Sequence, residues 1–204
     1  MDAELTGIVA AVLPEYGVTP LADRVARLAE YLEYLIRWNR RIRLVGSAEP
    51  ATLARRHLGE SLYLSAVLPL GRETLIDVGS GGGFPGLALQ IAFPSLVSTL
   101  VESNARKAAF LQEMTRHLGC GRVIVARAEA VRQQAEIVTL RAIEHMEIGP
   151  ERFAHLLIPG GKLAAWVGLD LAVDWRRRFT RWHWSEPVLL PQSRERAILI
   201  GQRA

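Results

Sequence analysis

The stretch that decides the fold is Thr74-Leu75-Ile76-Asp77-Val78-Gly79-Ser80-Gly81-Gly82-Gly83-Phe84-Pro85-Gly86-Leu87. Its first five residues are a short apolar run that ends in glycines, the pattern of a buried strand. Pro85 is placed to open the next helix, which must end before Pro94. A strand that enters a glycine loop and then a helix is the first turn of an alternating α/β fold. Ligands of such open sheets bind outside the carboxyl ends of the strands.

Downstream the alternation continues. Val97 to Val101 reads as a second strand, and Asn104 caps a helix that Gly119 stops after Leu118. Strands are expected at Arg122 to Val125, Ile137 to Leu140 and Lys162 to Val167, with a helix near Pro150 to Leu157 and a turn at Pro159-Gly160-Gly161. Pro187 to Leu190 and Ala197 to Ile200 suggest a hairpin at the sheet edge. Upstream the pattern is helical. Leu21, Val25, Leu28, Leu32 and Leu35 recur at spacings of three and four, on a helix running to about Ile42 with Thr19-Pro20 at its start. Shorter helices are expected near Ala51 to Arg56 and Ser61 to Val67. The organisation is therefore a helical extension, residues 1–70, followed by a Rossmann-like α/β domain, residues 71–204.

Composition narrows the class. Of 204 residues, 50% are hydrophobic and 23% charged, enough apolar content to bury a core. No apolar run approaches the roughly 20 residues of a membrane span. The acidic start Met1-Asp2-Ala3-Glu4 lacks the order of a signal peptide, and the single Cys120 gives neither a disulfide framework nor a zinc cluster. A cytoplasmic, metal-free protein is expected, with a monomer as the default. The net charge is +4, carried by arginine far more than by lysine. Residues 37–56 hold Arg37, Arg40, Arg41, Arg43, Arg55 and Arg56 against one acid, Glu49. A second cluster, Arg176, Arg177, Arg178 and Arg181, lies among Trp175, Trp182 and Trp184. Clustered arginine is the footprint of a nucleic-acid binder, and equally that of a solvated helix face.

Gly81, Gly83 and Gly86 satisfy a dinucleotide G-x-G-x-x-G, but two features oppose a pyrophosphate. Asp77 would repel it, and Pro85 removes an N–H from the helix start that would face it. An acid at Asp77 suits a ligand with a cationic amino-acid end. Glu102, closing the second strand, can accept hydrogen bonds from ribose hydroxyls. Adenosine without pyrophosphate, joined to an amino acid, describes S-adenosyl-L-methionine.

The chain also resembles the GidB (RsmG) family of 16S rRNA guanine-N7 methyltransferases. The resemblance rests on Arg37-Trp38-Asn39, Arg56-His57-Leu58-Gly59-Glu60-Ser61, the segment from Ile76 to Leu87, Glu102-Ser103, Arg106-Lys107, Phe110-Leu111, Arg127-Ala128-Glu129 and Arg141-Ala142. It implies a class I S-adenosylmethionine-dependent methyltransferase fold, mostly parallel with an antiparallel edge. It also implies methylation at N7 of a guanine in the 530 loop of small-subunit rRNA, with 16S rRNA or the small ribosomal subunit as partner. By motif position, Gly79, Gly81, Phe84, Glu102, Ala128, Glu129 and Arg141 would bind the cofactor. Asn39, Arg43, Arg56, His57 and Arg141 would face RNA. No residue is expected as a general base, because guanine N7 carries a lone pair and no proton. The chain departs from the family pattern at Arg43-Leu44-Val45, Glu60, Leu140 and Val167. These departures keep two alternatives in view: a small-molecule methyltransferase, or a cofactor- or RNA-binding module without turnover.

Overall fold

The structure, a computed structural model, describes residues 2–19, 21–142 and 149–203; Pro20, expected at a helix start, lies outside them. The chain begins with α1 (Ala3–Val12), capped by the Asp2 carboxylate on the amides of Glu4 and Leu5, and α2 (Ala22–Asn39). Along α2, Leu28, Leu32 and Leu35 are fully buried, as their spacing demands, whereas Leu21 is 71% exposed at the N-cap. The helix stops at Asn39, short of Ile42. The Asn39 side-chain oxygen accepts from the amides of Leu44 (2.8 Å) and Val45 (3.0 Å) and turns the chain away.

Residues 50–67 form a nearly continuous helical segment: α3 (Pro50–Thr52), a π-helical stretch (Leu53–Gly59), α4 (Glu60–Leu62) and α5 (Leu64–Val67). The sequence periodicity foretells the helix but not the wider π winding.

The remainder alternates as expected: β1 (Thr74–Val78), α6 (Gly86–Ala92), β2 (Val97–Glu102), α7 (Ala105–Leu118), β3 (Arg122–Val125), β4 (Ala135–Leu140), β5 (Leu157–Gly168), α8 (Leu169–Arg178), β6 (Trp182–Trp184), β7 (Val188–Leu189) and β8 (Arg196–Arg203). The helix expected near Pro150 to Leu157 is a 3-10 helix, Pro150–Leu156. Pro159-Gly160-Gly161 is no separate turn; β5 runs through it, with a register shift against β4. Neither α8 nor β6 was foreseen.

The sheet order is β3-β2-β1-β4-β5-β8-β6, with β7 also paired to β8. The first five strands are parallel and β8 runs antiparallel. The chain order reverses between β1 and β4, which fixes where a ligand crevice opens.

Successive side chains of β1 point to opposite faces. Leu75 joins the core formed with the helices, from Leu5 of α1 through Leu28, Leu35, Leu87 and Phe110. Ile76 joins the opposite core, with Val138, Leu163, Trp175 and Trp182. The change of sequence pattern at residue 71 is thus no break in the core, because the N-terminal helices and one sheet face share it.

Candidate functional site

The glycine loop leaves β1 at the reversal point. Gly79 has φ +69°, which L side chains rarely adopt, and a Cβ there would meet no protein atom within 4 Å. It lines an open cavity of about 440 Å³ together with Glu102, Ala128, Glu129, Arg141 and Ala142. That volume lies in the usual range for small-molecule sites, roughly 300–1,000 Å³.

Glu102, at the end of β2, is 7% exposed. One carboxylate oxygen accepts from the Gly81 amide (2.9 Å) and the other from the Asn104 amide (2.7 Å). Both bonds come from backbone, so the carboxylate is held rigidly, and each oxygen retains an acceptor direction. Glu129 pairs with Arg152 across the cavity rim, both partly exposed.

Not every expected cofactor residue reaches this cavity. Gly81 sits behind Glu102 and supports it. Phe84 is buried, with its ring against His57 (5.0 Å between centroids) and Tyr31 (5.4 Å), and does not line the cavity.

Asp77 is not presented to the ligand either. It is fully buried on the helical face of β1, accepting from the Thr139 hydroxyl (2.7 Å) and the Gly86 amide (3.1 Å). It therefore anchors the first turn of α6. Gly86 permits that approach, since a Cβ there would stand 2.6 Å from the Asp77 Cβ. Burial pushes the Asp77 carboxyl up to about 6, against the opposing pull of its bonds from Thr139, Gly86 and Ser80.

A second, smaller cavity of about 220 Å³ adjoins the first and shares Arg141 and Ala142 with it. Its other walls include His57, Glu60, Trp166, Leu190 and Arg196. Glu60 is 3% exposed, and its carboxylate pairs with Arg141 (2.9 Å) and Arg196 (2.7 Å). The Arg141 guanidinium also donates to the Ser61 hydroxyl (3.1 Å) and to the Arg56 carbonyl. The Trp166 indole donates to the Glu60 carbonyl at 2.8 Å. π winding leaves carbonyls without their ordinary i to i+4 partners. The Arg56 carbonyl, inside the π stretch, is where Arg141 binds. Burial, then Arg141 and Arg56, push His57 down to about 3, so its ring is neutral.

Of the residues expected to face RNA, His57 and Arg141 line this second cavity. The Arg43 and Arg56 side chains are exposed nearby in sequence, and the Asn39 oxygen is taken up in its turn. Arg196 and Trp166 carried no sequence signal. Arg196 meets Glu60 across 136 positions of chain, a separation no local spacing discloses.

A rigidly held carboxylate at Glu102, a cavity at the strand reversal, and a glycine loop without a phosphate-facing helix start fit an adenosine ligand that lacks a pyrophosphate. Fold and site together define an S-adenosylmethionine-dependent methyltransferase of class I. The same sheet recurs at TM-score 0.59 and 13% identity in a SAM-dependent methyltransferase from Aquifex aeolicus, over 76% of this chain and 94% of that one.

The family model of GidB, rRNA small subunit methyltransferase G, matches residues 24–194, and the chain belongs to that family. A ribosomal RNA small subunit methyltransferase G of Xanthomonas campestris pv. campestris is 43% identical over 152 residues, 72% of this chain and 71% of the relative. One from Xylella fastidiosa is 42% identical over 174 residues, 82% and 81% of the two chains.

Proposed function

We propose that this enzyme methylates N7 of a guanine in the 530 loop of 16S rRNA, acting as a cytoplasmic monomer on the RNA or on the small ribosomal subunit. The observation that carries the reading is the pair of adjoining cavities with Arg141 and Ala142 as their common wall. The larger would hold S-adenosylmethionine, with Glu102 on the ribose, Ala128 and Glu129 beside the adenine, and Gly79 under the amino-acid end. The smaller would receive the base.

S-adenosylmethionine supplies an electrophilic methyl group on a sulfonium. Guanine N7 offers its lone pair directly, so no proton has to be removed. Alignment suffices when the reacting atoms are held about 3–3.5 Å apart in line. His57 suits this, because a group with a pKa of about 3 takes up no proton at neutral pH and presents a neutral ring. Arg141, clamped by Glu60, Ser61 and backbone carbonyls, would fix the junction between methyl donor and base. The exposed Arg43 and Arg56 would meet RNA phosphates at the rim.

The test is transfer of label from S-adenosylmethionine to small subunits lacking this modification, followed by mapping of the labelled base. Label on one 530-loop guanine at N7 is the expected result. Label on another nucleotide, or none despite bound cofactor, overturns the assignment.

A further inference from the structure

Away from both cavities of the methyl-transfer site, a third opening of about 380 Å³ lies between the end of α2 and α7. It is lined by Tyr34, Arg37, Trp38, Arg40, Arg41 and Glu113. Three arginines and two aromatic rings stand there against a single acid. Arg37 leans over the Tyr34 ring (5.2 Å to the centroid) and pairs with Glu33. Arg40 and Arg41 are exposed, and neither has a carboxylate within 4.0 Å among the described residues. The second arginine cluster is different. There Arg176 pairs with Glu186, and Arg177 and Arg178 pair with Asp174. Two carboxylates thus answer part of its charge, whereas no carboxylate answers that of Arg40 and Arg41 among the described residues.

The position of the cleft gives the charge a purpose. The Trp38 indole donates to Glu113 (3.4 Å) and its ring meets Phe110 edge-on (5.7 Å), both on α7. Lys107, in the first turn of α7, lines the 440 Å³ cavity. Glu113 therefore stands about 9 Å along the helix axis from Lys107. Arg106 is seven residues before Glu113, hence on the same helix face, and is exposed without an ion pair among the described residues. Arg106 thus stands between the cleft and the mouth of the cavity, where Lys107 lies.

The geometry points to a second nucleotide subsite. The cleft takes an unpaired nucleotide of the substrate RNA, flanking the target, with its phosphate on Arg40 and Arg41 and its base against Tyr34 and Trp38. Arginine forks suit phosphate, and aromatic faces stack any base. The inference rests on the RNA reading above.

The experiment measures binding of a fluorescein-labelled single-stranded RNA to the full chain by anisotropy over a range of potassium chloride. Arg40→Gln combined with Arg41→Gln should weaken binding about tenfold. It should also flatten the plot of log affinity against log salt by about 1.4, the slope of two lost single-strand phosphate contacts. Arg177→Gln combined with Arg178→Gln removes equal charge elsewhere and should leave the slope unchanged. Tyr34→Leu should weaken binding about tenfold with the slope intact, as loss of stacking does. Affinity for S-adenosylmethionine, measured in each variant, should equal that of the unaltered protein.

An unchanged slope in the Arg40 and Arg41 variant, or an equal change in the Arg177 and Arg178 variant, overturns the subsite. Full affinity in Tyr34→Leu overturns the stacking. The rRNA reading fails separately. In that case the unaltered protein places no label on small subunits, while the difference in RNA binding between the variants persists.

Discussion

Asp77 and His57 are buried ionisable groups whose shifts act on stability in opposite senses. The Asp77 carboxyl is raised from 3.8 to about 6 by burial. Between about pH 4 and 6 the folded chain holds a proton that the unfolded chain has released, so stability from this group is full below that window and falls as pH rises through it. The loss is about 3 kcal/mol at 1.36 kcal/mol per unit. Asp77→Asn cannot ionise, and its amide can still receive the Gly86 bond while donating to the Thr139 hydroxyl. Urea melts should show the variant gaining on the parent from pH 4 to 6 and then holding a constant margin. A pH-independent margin would refute this account.

His57 is lowered from 6.5 to about 3, so its contribution is full above pH 6.5 and is lost as the unfolded chain takes up a proton below it. His57→Phe should therefore gain on the parent as pH falls below 6.5. An unvarying difference would place the imidazole in water.

Glu102 is a third case, where both carboxylate oxygens already hold backbone amides. Glu102→Ala should weaken S-adenosylmethionine binding by about 1–3 kcal/mol, the cost of leaving the ligand's hydroxyls unpaired. Calorimetry giving an unchanged affinity rejects the ribose role.

At the scale of elements, the π-helical stretch, α4, β5 and β8 converge on Glu60 and Arg141. Glu60 is nearly inaccessible and compensated by two guanidiniums, so removing it strands charge in a poorly hydrated place. Glu60→Ala should cost about 3 kcal/mol. Arg141→Ala should lower methyl transfer even at saturating cofactor, because it unfastens the wall between the two cavities; full turnover in that variant would dismiss the positioning role.

This junction also marks where the sequence stops being legible. The glycine loop, the Asn104 cap, the Gly119 stop and the alternation of strands and helices follow from local pattern, and the structure has them. The π winding does not, and the arginine that bonds its Arg56 carbonyl stands more than eighty residues away. β5 runs on through Pro159 to Gly161 because β4 supplies a shifted register, which no turn propensity records. Asp77 was read against the ligand because it stands beside the loop. The two-residue alternation of β1 instead sends it beneath the loop, with Leu75. The residues around the larger cavity were the more legible, because Gly79 and Glu102 lie at the ends of β1 and β2. The wall of the smaller cavity was less so, because Arg196 and Trp166 enter from late strands with no spacing to betray them.

For the whole molecule, the decisive fact is the shared core. Leu5, Val9, Leu28, Leu32 and Leu35 of the helical extension lie in one apolar cluster with Leu75, Leu87, Leu100 and Phe110 of the sheet layer. The Tyr31 hydroxyl, fully buried, donates to the Gly82 carbonyl inside the glycine loop. Separating the extension would expose leucines of both parts and leave polar groups of the loop unpaired. The sheet layer then has no reason to keep the loop in its ligand-binding shape. Helices and sheet should therefore unfold together. The chain reports on both halves, because Trp38 lies in α2 while Trp166, Trp175, Trp182 and Trp184 lie in or beside the sheet. Urea unfolding followed by far-ultraviolet circular dichroism, and by fluorescence of a Trp38→Phe variant whose remaining tryptophans lie in or beside the sheet, should give one midpoint and one slope. S-adenosylmethionine should move both curves equally, since a ligand that binds only the folded state stabilises the whole cooperative unit by mass action. A helical transition at lower urea, with the sheet signal and its cofactor dependence intact, would show the extension to be a separable appendage, and the seat of the glycine loop would then have to be found within residues 71–204 alone.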